Sequence, residues 1–481
     1  MYDKTSSLFM SSDAGVNRRK TVEQKSLVSQ IFTRLQGHNV QPEDGPAFRV
    51  DGRIAYIANH SYPFSSNGYA VRTGGVAGAL SFHGHSVVVI TKPGMPWDLP
   101  QFVDDDYACS HIVGGVRYLH LPYPRNSGKT QSEYLGAAIE AFKRVLRVFK
   151  PAVVHAASNW KNALPAAIAA KELGLPFFYE VRGFWEITRA SREPEWAHSD
   201  EFQQVVKYER AVSCAADRVF TLNRFMRREL VQRGVDPARI ELVPNGIEVP
   251  RDMACVSRAQ QPIAVSRVEL GIRSRFVVGF IGSLNQYEGL EDLVRAAAGA
   301  YRRGIDISLV LVGSSHATGL AAESAKESVE TQLRRVAESC GIAERLVLPG
   351  RVEHGAIADY YDLFDLVVLP RRPLPVCELV SPLKPLEALA AGKRVLMSNV
   401  APLAELAEIS TRFQYFDKGS VESLTDRLVG LLVQDDRLQP LSADVLTDIS
   451  WTARVAPISQ WVYQYSRMRR EGMPRSREWN L

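Results

Sequence analysis

Short β-branched runs alternate with helical stretches in two series separated by one aperiodic segment, and this pattern constrains the chain more than any other feature. The first series reads RIAYIAN, a helix over Thr73–His83, SVVVIT, VRYLHLP, a helix ending at Phe149, AVVHAAS, a helix over Asn162–Leu173, PFFYEVRG, RVFTLN, a basic helix FMRRELVQRG and RIELVPNG. A strand followed by a helix of ~10 to 15 residues is a βα unit, and such units build a parallel sheet covered on both faces. Between about Ile247 and Arg273 the periodicity stops and two prolines enter, which marks a linker. The second series reads FVVGFIGS, a helix over Glu288–Arg303, ISLVLVGS, a long helix ending at Cys340, RLVLPGR, a helix over Ile357–Leu363, LVVLP, a helix after Ser381, and KRVLMSN.

The fold class expected is α/β, with two doubly wound domains over 51–250 and 274–450. Residues 1–50 are expected to form a tail with one amphipathic patch near Leu27–Leu35, and 451–481 a separate C-terminal segment. With 481 residues the chain exceeds one ordinary core, which agrees with two domains. Open parallel sheets bind ligands outside the carboxyl ends of their strands, so the site is expected in the cleft between the domains.

Lys plus Arg outnumber Asp plus Glu by 58 to 53, a formal charge of +5. That excess suits an anionic ligand or membrane surface and is too dilute for a dedicated nucleic-acid binder. Five cysteines are scattered without a C-x-x-C pair, which points to a reducing compartment and no zinc site. No apolar run approaches the ~18 residues of a spanning helix, and MYDKTSSLFMSSDAG lacks a signal-peptide core. The expected location is cytoplasmic.

Several segments, in order, are similar to the retaining glycosyltransferases of sequence family 4, which have the two-domain Rossmann-like GT-B arrangement. They are HSYPFSSNGYAVRT, AASNWKNALPAAIAAKELGLPFFYEVRGFWE, TLNRFMRRELVQRG with VPNGIE, FIGSLNQYEGLEDLV, LPGRVEH, and PRRPLPVCELVSPLKPLEALAAGKRV, within about Arg53–Val433. The resemblance implies that the second domain binds a nucleotide-diphosphate sugar and that the first supplies the acceptor surface. It also implies transfer with retention of configuration, without a metal or other cofactor, to a saccharide or lipid-linked saccharide in surface polysaccharide or glycoconjugate synthesis.

In CELVSPLKPLEALAAG, Ser381 reads as an N-cap and Pro382 as the first helical residue. The free amides of that helix, with Leu383 in the first turn, would face a phosphate. Lys384 there costs ~0.3 to 1 kcal/mol against the helix dipole, so its presence points to a diphosphate ligand. By the resemblance, Glu387 would hold the ribose, a place where a carboxylate can accept from two hydroxyls. The family's sugar-contacting acid must then be Glu378, with eight residues intervening instead of the family's seven. It is expected in the loop before the helix.

The family's Arg and Lys clamp is missing from FIGSLNQYEGLEDLV, which has Ser283 and, near the lysine's place, Glu288. The work is therefore assigned to Lys384, the Gly282 and Ser283 backbone, and Arg371 or Arg372. Arg351 is expected beside the nucleotide base. In the first domain, Gly68 allows close approach of a ligand, with Asn67 and Arg72 as polar contacts. Glu180, Arg182 and Trp185 crowd a strand end facing the cleft, where Glu180 and Arg182 are read either as catalytic groups or as an internal ion pair. His60 and His155 lie near other strand ends, where a histidine is more often structural, and His155 and Trp185 are kept with Asn67 and Arg72 as acceptor or sugar-pocket candidates.

The segment WTARVAPISQWVYQYSRMRREGMPRSREWNL is read either as a helix crossing back onto the first domain or as an arginine-rich contact with an anionic membrane. A catalytically silent sugar-nucleotide binding protein is the alternative to an enzyme. A dehydrogenase is disfavoured, since no G-x-G-x-x-G follows the first strand of either series.

Overall fold

A computed structural model describes residues 30–35, 49–65, 67–103, 107–249, 265–315, 327–434 and 440–470. The first sheet contains β1 (Arg53–Ala58), β2 (Ser86–Thr91), β3 (Ser110–Val113), β4 (Val116–Leu119), β5 (Val153–Ala157), β6 (Phe177–Val181), β7 (Arg218–Thr221) and β8 (Ile240–Leu242), in the order β3-β4-β2-β1-β5-β6-β7-β8. All its pairings are parallel except β3 with β4, an antiparallel edge hairpin that the alternating pattern did not foretell. β5 and β6 are buried at every residue, as strands covered on both faces must be.

The second sheet contains β9 (Phe276–Ile281), β10 (Ile307–Val312), β11 (Leu346–Gly350), β12 (Leu366–Leu369), β13 (Val395–Ser398) and β14 (Phe413–Phe416), all parallel, in the order β11-β10-β9-β12-β13-β14. The strand order reverses at β1/β5 in one sheet and at β9/β12 in the other. Those reversals leave crevices above the strand ends where an open sheet takes its ligands.

Helix boundaries follow caps more closely than hydrophobic periodicity. The helix after β1 runs Gly68–Phe82, five residues ahead of the expected Thr73, because the Asn67 side chain accepts from Ala70 N at 3.1 Å. A helix over Asp200–Ala215, capped by Ser199, was not read from the sequence.

The chain changes core between Ile449, packed in the second domain, and Trp451, packed in the first. There it runs beside the start of the linker, with Ile247 N bonded to Ile449 O and Trp451 N to Ile247 O, both at 2.9 Å. Trp451, Val455, Ile458 and Val462 then pack against Ile54, Tyr56 and Val87, so the helix over Ala456–Arg470 lies on the first domain. Trp461 stacks under the Arg218 guanidinium at 3.3 Å, and Tyr465 meets Phe178 edge-on at 5.4 Å. The aromatics of this segment are thus packing groups, whereas Trp479, Arg475 and Arg477 lie outside the described residues, as does most of the linker.

One correction concerns the expected tail. Residues 30–35 form a helical turn whose Ile31, Phe32 and Leu35 are buried, with Phe32 stacked on Tyr208 at 4.3 Å and Arg34 paired to Glu172. Three apolar side chains on one face of a short turn require a partner surface, and the first domain supplies it. No helix among the described residues is long and apolar enough to cross a membrane.

Candidate functional site

The carboxyl ends of the first sheet face the second domain. Asn223, after β7, donates to Leu379 O at 2.8 Å and Ser381 Oγ at 2.7 Å, and Asn245, after β8, donates to Ser381 O at 3.0 Å. Gly68 lies under Leu383 Cδ1, and Gly183 under Val380. Ser381 therefore ties the two domains together and is not the helix cap expected of it. The helix starts at Lys384 with Leu383 at its N-cap and Pro385 in the first turn. A residue before proline is pushed to extended backbone, so Pro382 holds Ser381 outside the helix.

At the β9/β12 crevice the floor lacks side chains. Gly282 and Gly313, which follow β9 and β10, have φ of 146° and 137°. A methyl at Gly313 would overlap the Gly282 carbonyl, and one at Gly282 would overlap Cε of Lys384. The Lys384 stem thus lies across the bare floor, with its ammonium 5.0 Å from the Phe280 ring.

Three charged side chains converge beside that floor. Glu288, only 1% exposed, accepts from Lys384 Nζ at 2.7 Å and from Nε and an amino group of Arg371, each at 3.3 Å. Arg371 also donates to Val380 O at 2.9 Å. Two cations share one carboxylate, which leaves one net positive charge at the crevice. Burial alone would raise the Glu288 carboxyl, but Arg371 and Lys384 hold it down at about 2. A carboxylate depressed on folding contributes stability that is complete above its unfolded value of ~4.3 and is lost as the pH falls toward 2. A contribution on the order of a few kcal/mol is expected. In urea titrations, wild type should exceed Glu288→Gln by that order at pH 7, and the two curves should converge as the pH is lowered.

The remaining donor-side residues separate by position. Arg372 points away from the cluster, onto Asp292 at 3.0 Å and Glu291 at 3.3 Å. Ser283 and Arg351 are exposed, after β9 and β11 respectively. Glu387 is half-buried; burial raises its carboxyl, opposed by Lys384, and its side chain makes no hydrogen bond to another described residue. Glu378 departs from expectation. It sits in a short helix over Pro375–Leu379 and spends its carboxylate on Ala401 N at 2.9 Å and Lys418 Nζ at 2.6 Å. Leu374, Pro375 and the Cys377 N–H bonded to Leu374 O close that turn, so the segment is helical where a loop was expected.

In the first domain, Glu180 and Arg182 form the internal ion pair and carry no exposed reactive group. Glu180 is fully buried and accepts from Arg72 Nε at 2.8 Å, Tyr56 Oη at 2.6 Å and Arg182 at 2.9 Å. Arg182 also donates to Thr73 Oγ1 at 2.8 Å, Tyr69 O at 3.0 Å and the Tyr56 hydroxyl. Arg72, expected to contact ligand, instead reaches Asn245 Oδ1 at 2.9 Å and Val243 O at 2.8 Å and stacks on Trp451. His155 is fully buried and stacked on Tyr56 at 4.7 Å; burial lowers it to about 4, so it is a neutral packing group. For Glu180 and Arg182 the reason is that alternation through the end of β6 turns both to one face, under the helix that carries Arg72. Asn67 is spent as the cap already described. Trp185, partly exposed, lies 5.7 Å from Lys161 Nζ and edge-on to Trp196 at 6.3 Å.

Sequence reasoning missed three features of this site. Gly313 was legible, because FIGS and LVGS both end a strand on glycine. Asn223 and Asn245 gave no sign of joining the domains, and neither did the pairing of Glu288 with two cations. Among the described residues, no group of three His, Cys, Asp or Glu could hold a metal ion.

A family model described as glycosyl transferase 4-like domain matches residues 67–246, and one described as glycosyl transferases group 1 matches 275–434. The chain is 23% identical over 418 residues to a D-inositol 3-phosphate glycosyltransferase of Xylanimonas cellulosilytica, covering 81% of this chain and 91% of that one. Among solved structures it resembles sucrose-phosphate synthase of Thermosynechococcus elongatus, with a TM-score of 0.57 and 19% identity, covering 87% and 97% of the two chains. It also resembles Anabaena Alr3699/HepE in complex with UDP-glucose, with a TM-score of 0.55 and 15% identity, covering 87% and 98%.

Proposed function

This chain belongs to the glycosyltransferases of the GT-B fold that resemble family 4, which use nucleotide-sugar donors, and on that premise we propose that it transfers the sugar with retention of configuration to a saccharide or lipid-linked saccharide. The observation that carries this reading is the positive cluster of Lys384 and Arg371 on Glu288, set beside the bare Gly282–Gly313 floor, with the Glu387 carboxyl within the influence of Lys384. A diphosphate fits that floor, and Lys384 and Arg371 supply the charge that stabilises it as it leaves. Glu387 can accept from both ribose hydroxyls.

The sugar–phosphate bond then lengthens toward an oxocarbenium-like state, and the acceptor hydroxyl attacks from the face the diphosphate leaves. The departing phosphate oxygen takes the hydroxyl proton, so the step uses no side-chain base. Closure of the domains, already linked through Ser381, excludes water and orients both substrates. Because Lys384 and Arg371 provide the positive charge, transfer is proposed to proceed without a metal ion, and activity in excess EDTA checks this.

A role in surface polysaccharide or glycoconjugate synthesis, on the inner face of the membrane, is proposed from the family resemblance and from the arginines near the C-terminus. One observation favours a second reading, a silent sugar-nucleotide binder: the Glu378 carboxylate is engaged by Ala401 N and Lys418. Screening nucleotide sugars for thermal stabilisation, then assaying the best for sugar release, decides between them. A transferase should be stabilised by one nucleotide sugar, by about 2.7 kcal/mol at a hundredfold excess over Kd, and release its sugar slowly. Stabilisation with no release or transfer would favour the binder.

A further inference from the structure

Three groups on the first domain have no part in the chemistry above. They stand at the ends of β2, β1 and β5, neighbouring strands that include the β1/β5 reversal. Lys92 follows β2, its N–H bonded to Ala58 O at 2.9 Å, which fixes it beside the end of β1. His60 lies two residues beyond β1, and its Nδ1 is buried without a hydrogen-bond partner. Lys161 occupies the first turn of the helix over Trp160–Glu172 that follows β5, with its ammonium 5.7 Å from the Trp185 ring and 5.9 Å from that of Trp160.

Neither ammonium is hydrogen-bonded to a carboxylate among the described residues. The acids that act on them electrostatically, Asp98 on Lys92 and Glu201 on Lys161, have hydrogen-bond partners of their own: Asp98 accepts from Asn126 N at 2.9 Å, and Glu201 accepts from Trp196 Nε1 at 2.9 Å and pairs with Arg189 at 3.3 Å. Burial holds both lysines below their usual range, and Lys161 depresses Lys92 further despite Asp98. Burial and Lys92 lower His60 to about 4, so its ring is neutral and can donate one hydrogen bond. Two half-buried ammonium groups without a bonded counter-ion are costly unless an anion completes them.

We infer that Lys92, Lys161 and His60 form an anion-binding subsite that receives a phosphate group carried by the acceptor, with the Trp185 ring flanking the rest of that molecule. The inference deepens the transferase reading and rests on it. Phosphate suits the place because compact ammonium groups bind it as point charges. The subsite stands on the opposite domain from Lys384 and Arg371, so the acceptor phosphate and the donor diphosphate have separate cations. An acceptor lacking the phosphate would leave both lysines uncompensated and be discriminated against.

The test uses the full chain with its donor site saturated by the nucleoside diphosphate that stabilises it most. Inorganic phosphate and then glycerol 3-phosphate are titrated by tryptophan fluorescence. For at least one of them, Lys92→Met/Lys161→Met should raise Kd by about tenfold or more, while nucleoside diphosphate affinity stays within about twofold. Lys161→Arg should keep binding, and the single variants Lys92→Gln and Lys161→Gln serve if the double variant melts early. Sedimentation with phosphatidylcholine vesicles containing phosphatidic acid separates the sources. Lysine-dependent binding of glycerol 3-phosphate assigns the group to a soluble acceptor, and lysine-dependent sedimentation assigns it to a lipid. Binding equal in wild type and variants, or absent in wild type with every probe, overturns the inference. A wild type that binds no nucleotide sinks the transferase reading instead.

Discussion

Glu180→Ala should cost the first domain about 3–5 kcal/mol, the largest single-residue loss of stability expected in this chain. The carboxylate sits between Arg72 and Arg182 with no exposed surface, and its removal leaves two buried guanidinium groups and the Tyr56 hydroxyl uncompensated. Burial alone would raise the Glu180 carboxyl, yet Arg182 and Arg72 hold it well below the usual carboxylate range. Its contribution is therefore present above the unfolded value of ~4.3 and disappears only in strong acid. Urea denaturation at pH 7 is the measurement. A variant with an unchanged midpoint that had lost only turnover would show Glu180 acting on substrate after all, against the ion-pair assignment.

Lys384→Met should lower kcat/KM for the donor by about 10² to 10³, the usual cost of removing one group that stabilises developing charge. Its ammonium lies across Gly282, and Arg371 remains tied to Glu288 and Val380 O, so no second cation is free to move into the vacated place. The methionine keeps the length of the stem, so the loss reports charge more than packing. Gly282→Ala gives an independent check, since a methyl there would displace the lysine without removing it and should weaken the donor in the same direction. An unchanged donor KM in both variants would overturn the assignment of the diphosphate to this cluster.

Legibility differed between elements for physical reasons. Strands buried on both faces, such as AVVHAAS and ISLVLVGS, announce themselves by short, mostly apolar runs rich in β-branched residues and bounded by turn signals. The helix starts were misplaced at Asn67, where a side-chain cap decides the start, and at Leu383, where the proline after Ser381 keeps that serine outside the helix. Charged site residues were the least legible. Glu180, Arg182 and Arg72 have the residue types of a catalytic constellation, and only their mutual distances show that they satisfy one another. Lys384 stood out by its residue type at a helix start, whereas its partnership with Glu288 and Arg371 joins three positions far apart in the chain.

The sequence by itself determined the two α/β domains and the run of landmarks that places the chain in its family, because these depend on local periodicity and on order along the chain. Tertiary structure alone decided which charges face ligand and which face each other. A carboxylate's role depends on the cations within a few ångströms of it and on its burial, and the fold sets both by bringing distant residues together.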